Sequence, residues 1–268
     1  MNHLHLIKLR FYLHAMFQRN KNPTLKENLI YGKHSIVEAF NGGQTVDVVY
    51  TQKELKSEVL DEIRELAKQH GVPLKAVPKE KLDYLTFKAN HQGVAAFLSV
   101  VRYHDKEVIL KNILSKNEVP FLLILDGITD VRNFGAIART ALGCGIHAII
   151  VPKRNSAQIN AEAMQASAGA LNKIAVCRED DLVQTIKWCK GYEIKVLVSD
   201  LQATKKLSDL DFNQPIAVVM GEEAEGVNRL IINRADETFK IPISSQIDSY
   251  NVSVATGMVL YESVRNRK

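Results

Sequence analysis

The chain has 268 residues, 46% apolar and 24% charged, which allows a buried core without metal or disulfide staples and excludes a disordered or low-complexity polypeptide. Thirty-five Lys and Arg against 30 Asp and Glu leave a net charge of +5, compatible with a polyanionic partner but not diagnostic of one. No run approaches the roughly 18 apolar residues of a membrane span, and Cys144, Cys177 and Cys189 show neither a CxxC pair nor zinc-type spacing, as expected of reduced thiols in a cytoplasmic protein without a metal.

The excess charge is concentrated at one end. Residues 1–27 carry Lys8, Arg10, Arg19, Lys21 and Lys26 against Glu27 alone, a net +4, whereas 28–119 hold +1 and 120–268 are neutral. Lys8 and Arg10 interrupt the apolar part of this leader, and it has no small-residue cleavage site. It therefore reads as a flexible basic arm rather than a secretory signal.

Residues 28–102 alternate short helical and extended patterns. A helix is expected over 35–40, a strand over 46–51, an amphipathic helix over 55–70 ended by Gly71, and a strand over 74–77. A helix over 80–87 and a strand over 93–101 complete an α/β module of about 75 residues. The charge-mixed stretch 103–119 reads as a linker with a lead-in helix, closed by Pro120.

From Phe121 to the end the pattern is strand, loop, helix in succession. FLLILD (121–126), AIIV (148–151), KVLVSD (195–200), IAVVMG (216–221) and TFKIPI (238–243) read as strands, the first of a kind covered on both faces. Helical patterns fall at 134–143, 160–170, 180–190, 226–233 and 252–267. The alternation predicts an open, mainly parallel α/β sheet, in which ligands gather beyond the C-terminal ends of the strands.

Three segments follow such strand ends. In 126–145, Gly135 and Ala136 permit close backbone approach near a helix start. Asn133 stands at the helix mouth, and Arg139 is the sole charge in a stripe of Ala, Ile and Leu. Arg139 reads either as a surface ion-pair partner or as a guanidinium that holds phosphate or carboxylate. In VVMGEEAEGV (218–227), carboxylates between Gly221 and Gly226 precede a helix. They suit its N-terminal dipole equally well, and the segment lacks the G-x-G-x-x-G spacing of a dinucleotide site and the Lys of a P-loop. In 241–264, a strand stops at Pro242 and a loop rich in hydroxyls and amides leads through Ser249 and Asn251 into the last helix. On their own those two residues read as loop and N-cap residues.

Taken together, NFGAIAR (133–139), GEEAEG (221–226) and IPISSQIDSYNVSVA (241–255) resemble, in order and spacing, the three motifs of the SpoU (TrmH-type) RNA ribose 2′-O-methyltransferases of the SPOUT class. LIYGKHSIVEAF (29–40) and NHQGVAA (90–96) resemble the L30e/L7Ae-like substrate-binding domain of members that modify 23S rRNA. The resemblance implies a basic leader at 1–27, an L30e-like RNA-binding domain at 28–102, a linker at 103–119 and a SPOUT domain at 120–268 with a C-terminal trefoil knot. It also implies S-adenosylmethionine (SAM) as cofactor, held by Gly221, Ile241 and Tyr250, and a catalytic set of Asn133, Arg139, Glu223, Ser249 and Asn251, with Ser253 assisting. The implied reaction is methylation of the ribose 2′-hydroxyl of a guanosine in 23S rRNA, or in a large-subunit assembly intermediate, by a homodimer. The last helix is a candidate dimer face. The same reaction on tRNA or on an antibiotic-resistance site of rRNA, or an idle RNA-binding protein of the same fold, are the competing expectations. Two positions depart from the pattern: Ala224 stands for the usual Gly and Tyr250 for the usual Leu, and neither removes a reacting group.

Overall fold

A computed structural model describes residues 28–53, 58–223 and 225–267; the basic leader and Ala224 lie outside the described residues. The described residues form two sheets. The first has four strands in the order β1-β4-β2-β3: β1 (Leu29–Tyr31), β2 (Val46–Gln52), β3 (Leu74–Val77) and β4 (Val94–Leu98). Helices α1 (Lys33–Asn41) and α2 (Glu58–Gln69) cover it, burying Ile36, Phe40, Leu60 and Ile63 against Val46, Val49, Val94 and Ala96. Helix α3 (Lys79–Leu85) leads into β4. Strand β1, unforeseen from sequence, is only three residues long and pairs antiparallel with β4.

The second sheet has seven strands, all parallel, in the order β11-β9-β10-β6-β7-β8-β5. They are β5 (Tyr103–His104), β6 (Phe121–Asp126), β7 (Ala148–Pro152), β8 (Ala175–Glu179), β9 (Lys195–Ser199), β10 (Ile216–Gly221) and β11 (Glu237–Phe239). Alternate residues of β6 feed two cores. Phe121, Leu123 and Leu125 face α5 (Val131–Gly143), α6 (Ala161–Ala166) and α9 (Val252–Asn266). Leu122 and Ile124 face α4 (Lys106–Ser115), α7 (Leu182–Gly191) and α8 (Arg229–Ile232). This two-sided burial is why the strand reads as an unbroken apolar run.

Three differences from the sequence reading have local causes. The stretch read as linker is built into the second sheet: Tyr103–His104 pairs with β8, and α4 packs on the core beneath it. AVCRE (175–179) forms a strand although Arg178 and Glu179 break its apolar pattern, because neighbours on both sides supply its ladder. TFKIPI stays in the sheet only as far as Phe239, Lys240 making an isolated bridge to Lys206, beyond which Ile241–Pro242 opens into a loop; proline has no N–H to extend a ladder.

Candidate active site

The three motif loops leave the same rim of the second sheet. Strands β6 and β10 are adjacent and in register, Gly221 opposite Asp126, so the loops after them start side by side. Asp126 fastens the two, its Oδ2 accepting the Asn228 N–H at 2.8 Å. The loop after β10 doubles back so tightly that a Cβ on Gly221 would lie 2.1 Å from the Gly226 carbonyl carbon and 2.3 Å from Val227 N. Close backbone approach, and not an unusual φ, therefore demands glycine at 221; Gly226 is the one in the left-handed region, at φ 70°.

That turn aims Glu223 at the other two motifs. Its Oε1 accepts from Asn251 Nδ2 at 2.7 Å, Asn133 Nδ2 at 3.3 Å and Val252 N at 3.0 Å. Asn251 Nδ2 also donates to Asn133 Oδ1 at 3.0 Å, closing the triangle. Each partner is presented by a helix start. Asp130 caps α5 through the N–H groups of Arg132 and Asn133, fixing Asn133 in the first turn. Asn251 caps α9, its Oδ1 accepting from Ser253 N at 3.0 Å and Ser253 Oγ at 2.5 Å. The Glu223 carboxylate thus sits at the positive end of α9, where charge-assisted hydrogen bonds hold it.

Beside this triangle lies a cavity of about 200 Å³ whose walls include Gly221, Ile241, Ser249 and Tyr250, with Glu223 at its edge. The Tyr250 hydroxyl donates to the Pro242 carbonyl at 3.1 Å and ties the two limbs of the third loop together, a bond that leucine there would lack. Asp200, at the end of β9, and Arg229 also line the cavity; motif reading missed both. Asp200 had a signal in its place, just beyond a parallel strand end.

Arg139 stands apart. Six residues beyond Asn133 on α5 it is turned by about 240° around the helix axis. It is exposed and makes no hydrogen bond or ion pair among the described residues. The surface ion-pair reading of Arg139 is therefore not what the fold shows. The close backbone approach read at Gly135 serves helix packing: a Cβ there would meet Ala166 Cβ at 2.5 Å and the Ala163 carbonyl at 2.7 Å on α6. His147, the nearest histidine in sequence, accepts the Phe121 N–H and pairs with Glu118 at the opposite rim, where β6 begins. No His, Cys, Asp and Glu group among the described residues could hold a metal ion, and none of their helices is long and apolar enough to cross a membrane.

Comparison with known proteins agrees with this geometry. The family model described as "SpoU rRNA Methylase family" matches residues 120–261, and "RNA 2'-O ribose methyltransferase substrate binding" matches residues 29–104. A Bacillus subtilis protein named as a TrmH family tRNA/rRNA methyltransferase is 33% identical over 242 residues, 90% of this chain and 97% of that protein. A Staphylococcus aureus protein of the same name is 33% identical over 91% of this chain and 98% of its own length. Among solved structures, the SpoU methyltransferase AviRb of Streptomyces viridochromogenes, in complex with the cofactor AdoMet, aligns with a TM-score of 0.56 at 23% identity over 96% of this chain and 97% of that one. An AdoMet-bound rRNA methyltransferase of Sinorhizobium meliloti aligns with a TM-score of 0.55 at 20% identity over 92% and 95%. These two show a shared fold. With its three motif loops joined at one sheet rim and a family match over more than half its length, the chain belongs to the SpoU (TrmH-type) family of RNA ribose methyltransferases.

Proposed function

We propose that the hydroxyl methylated by this RNA ribose methyltransferase is the 2′-OH of a guanosine in 23S rRNA, free or within a large-subunit assembly intermediate in the cytoplasm. The observation that carries the reading is the pairing of the Asn133–Glu223–Asn251 triangle with an appended substrate-binding module at 28–102, on a SPOUT domain at 120–268 that we read as carrying the family's knot. An idle RNA-binding protein has no use for such a triangle.

SAM supplies an electrophilic methyl when bound. The cavity fits it: Ile241 and Tyr250 offer apolar wall for an adenine, and Gly221 brings backbone groups close. Asp200, Glu222 and Glu225 outnumber Arg229 and favour a sulfonium cation. The triangle fixes the starts of α5 and α9 and the turn after β10 relative to one another, and so orients the ribose beside the cavity. Ser249, on the cavity wall, and Ser253, held by Asn251, offer hydroxyls to that ribose. Arg139, without a partner among the described residues, clamps the RNA phosphate and offsets charge on the attacking oxygen.

The assembly we infer is a homodimer. Val254, Met258, Tyr261 and Val264 lie exposed along one side of α9, and a Cβ on Gly257 of α9 would lie 3.9 Å from Cγ2 of Thr140, the neighbour of Arg139. Pairing through that side brings Arg139 toward the partner's cavity. Sedimentation of a monomer at micromolar concentration would contradict it.

The deciding experiment maps ribose 2′-O-methyl groups in cellular rRNA and tRNA with and without the gene. Loss of one 23S guanosine methyl is the expected result. An unchanged rRNA map with a methyl missing from tRNA would overturn the assignment.

A further inference from the structure

The N-terminal module meets the catalytic sheet through a buried polar cluster. Strand β2 carries a bulge between Val46 and Val48, where its register to β4 shifts. Asp47 lies within the bulge and is buried along with Val46, Val48 and Val49. Asp47 is 3% exposed, and its Oδ1 accepts the Tyr103 hydroxyl at 2.8 Å and Arg178 Nη1 at 2.9 Å. Tyr103 comes from β5 and Arg178 from β8, both in the catalytic sheet. The guanidinium lies over the Tyr103 ring, 4.6 Å from its centroid, and Nη2 reaches the Lys153 carbonyl at 3.3 Å.

Two more contacts cross the same junction. Gly71, just after α2 with φ 63°, receives the Lys153 side chain so closely that a Cβ there would lie 2.6 Å from Nζ. The Tyr50 hydroxyl is hydrogen-bonded to Gln158. A cavity of about 280 Å³ runs alongside, between Phe40, His70, His104 and Lys153. Arg178 stands near the C-terminal end of β8, three strands along from β10 in a parallel sheet. The module is thus fastened to the same rim that carries the catalytic loops, about 14 Å from β10 at ordinary strand spacing.

We propose that Asp47, Tyr103 and Arg178 form a fixed joint and act as positioning residues for RNA, holding the module so that RNA bound to it reaches the catalytic rim in register. This rests on the reading that residues 28–102 bind the RNA. An apolar contact of this size would let the two bodies slide. A buried carboxylate shared by a phenol and a guanidinium admits one orientation, because any other strands a charge away from water.

The test uses the full chain with Asp47→Asn, Arg178→Gln, their double variant, and Tyr103→Phe, which removes the hydroxyl that bonds Asp47 and keeps the ring. Each is assayed for methyl transfer to a 23S rRNA transcript, for SAM affinity, and by small-angle X-ray scattering without RNA. If the competent arrangement falls to about a tenth of the population, KM for RNA rises about tenfold while kcat and SAM affinity hold. The double variant is then no worse than the poorer single one, Tyr103→Phe shows a smaller rise of the same kind, and scattering shows a larger radius of gyration. Folded variants with unchanged RNA KM and unchanged scattering overturn the joint, as does an equal loss of SAM affinity. Should the large substitutions fail to fold, Tyr103→Phe decides by the same readouts. Should the wild-type chain methylate tRNA instead of 23S rRNA, the acceptor assignment falls, while the scattering arm still decides the joint.

Discussion

Replacing Gly221 with alanine separates the geometry of the site from its chemistry, because no reacting group is touched. The added Cβ would sit 2.1–2.3 Å from Gly226 C, Gly226 O and Val227 N, against an ordinary contact of 3.4 Å or more. All three atoms are backbone, so the turn itself must retreat by more than about 1 Å. Glu223 rides on that turn. Its hydrogen bonds to Asn251 and Val252, now 2.7 and 3.0 Å, would stretch to roughly 4 Å, beyond useful range. Overpacking of this kind costs about 1–3 kcal/mol of stability. A 1 Å misplacement of a catalytic constellation costs on the order of 100-fold in rate. Thermal unfolding and transfer of labelled methyl from SAM to RNA should show both losses, with weakened SAM binding by calorimetry. Gly143→Ala is the control: at the end of α5 it faces open space, so it should leave activity alone and add about 0.4–1 kcal/mol of stability. Wild-type turnover and SAM affinity in Gly221→Ala would refute the account of the turn.

Three further outcomes are expected. Gly135→Ala should destabilise the protein by about 1–3 kcal/mol in denaturant unfolding, since its Cβ collides with Ala166 and the Ala163 carbonyl. Arg139→Ala should cut turnover by about 100-fold or more. Its stability should stay within about 0.5 kcal/mol, because the side chain is exposed and unpartnered among the described residues; near-wild-type turnover would refute its role. Burial pushes the Cys177 and Cys189 thiols up to about 12, with Glu179 adding to the first and Asp236 to the second. The folded chain therefore keeps both protons while an unfolded one releases them from near 9.0, so stability falls as pH rises from 9 toward 12. The double variant Cys177→Ala, Cys189→Ala should show a shallower decline, and in the wild type Cys144, the least buried, should react first with a thiol reagent.

Much of the catalytic half was legible because parallel strands buried on both faces leave unbroken apolar runs, and because their C-terminal ends are where polar loops collect. Gly221, Ile241, Ser249 and Tyr250, singled out from the motifs, meet at one cavity, and Asn133, Glu223 and Asn251 bond to one another. What escaped reading depended on partners distant in sequence. Strand β8 ends in Arg178 and Glu179, charges that look solvent-facing until Asp47, 131 residues earlier, is placed against the arginine. Asp47 itself sits among valines like any outward-facing strand residue, and only Tyr103 and Arg178, both from the other sheet, cover it. Gly135 read as a point of close backbone approach, but that the approaching backbone is α6 shows only once that helix returns across it.

The two lateral edges of the seven-stranded sheet are β11 and β5, of three and two residues. Lys195 and Lys205 both pair with Glu237 on the first. Open strand edges invite another chain to add itself by backbone pairing, and short, charged borders deny it the room. The fold is in this sense insulated against lateral growth into fibres or sheet-extended oligomers. Self-association through this sheet is thereby left to side chains on its helical faces, as in the dimer proposed through α9.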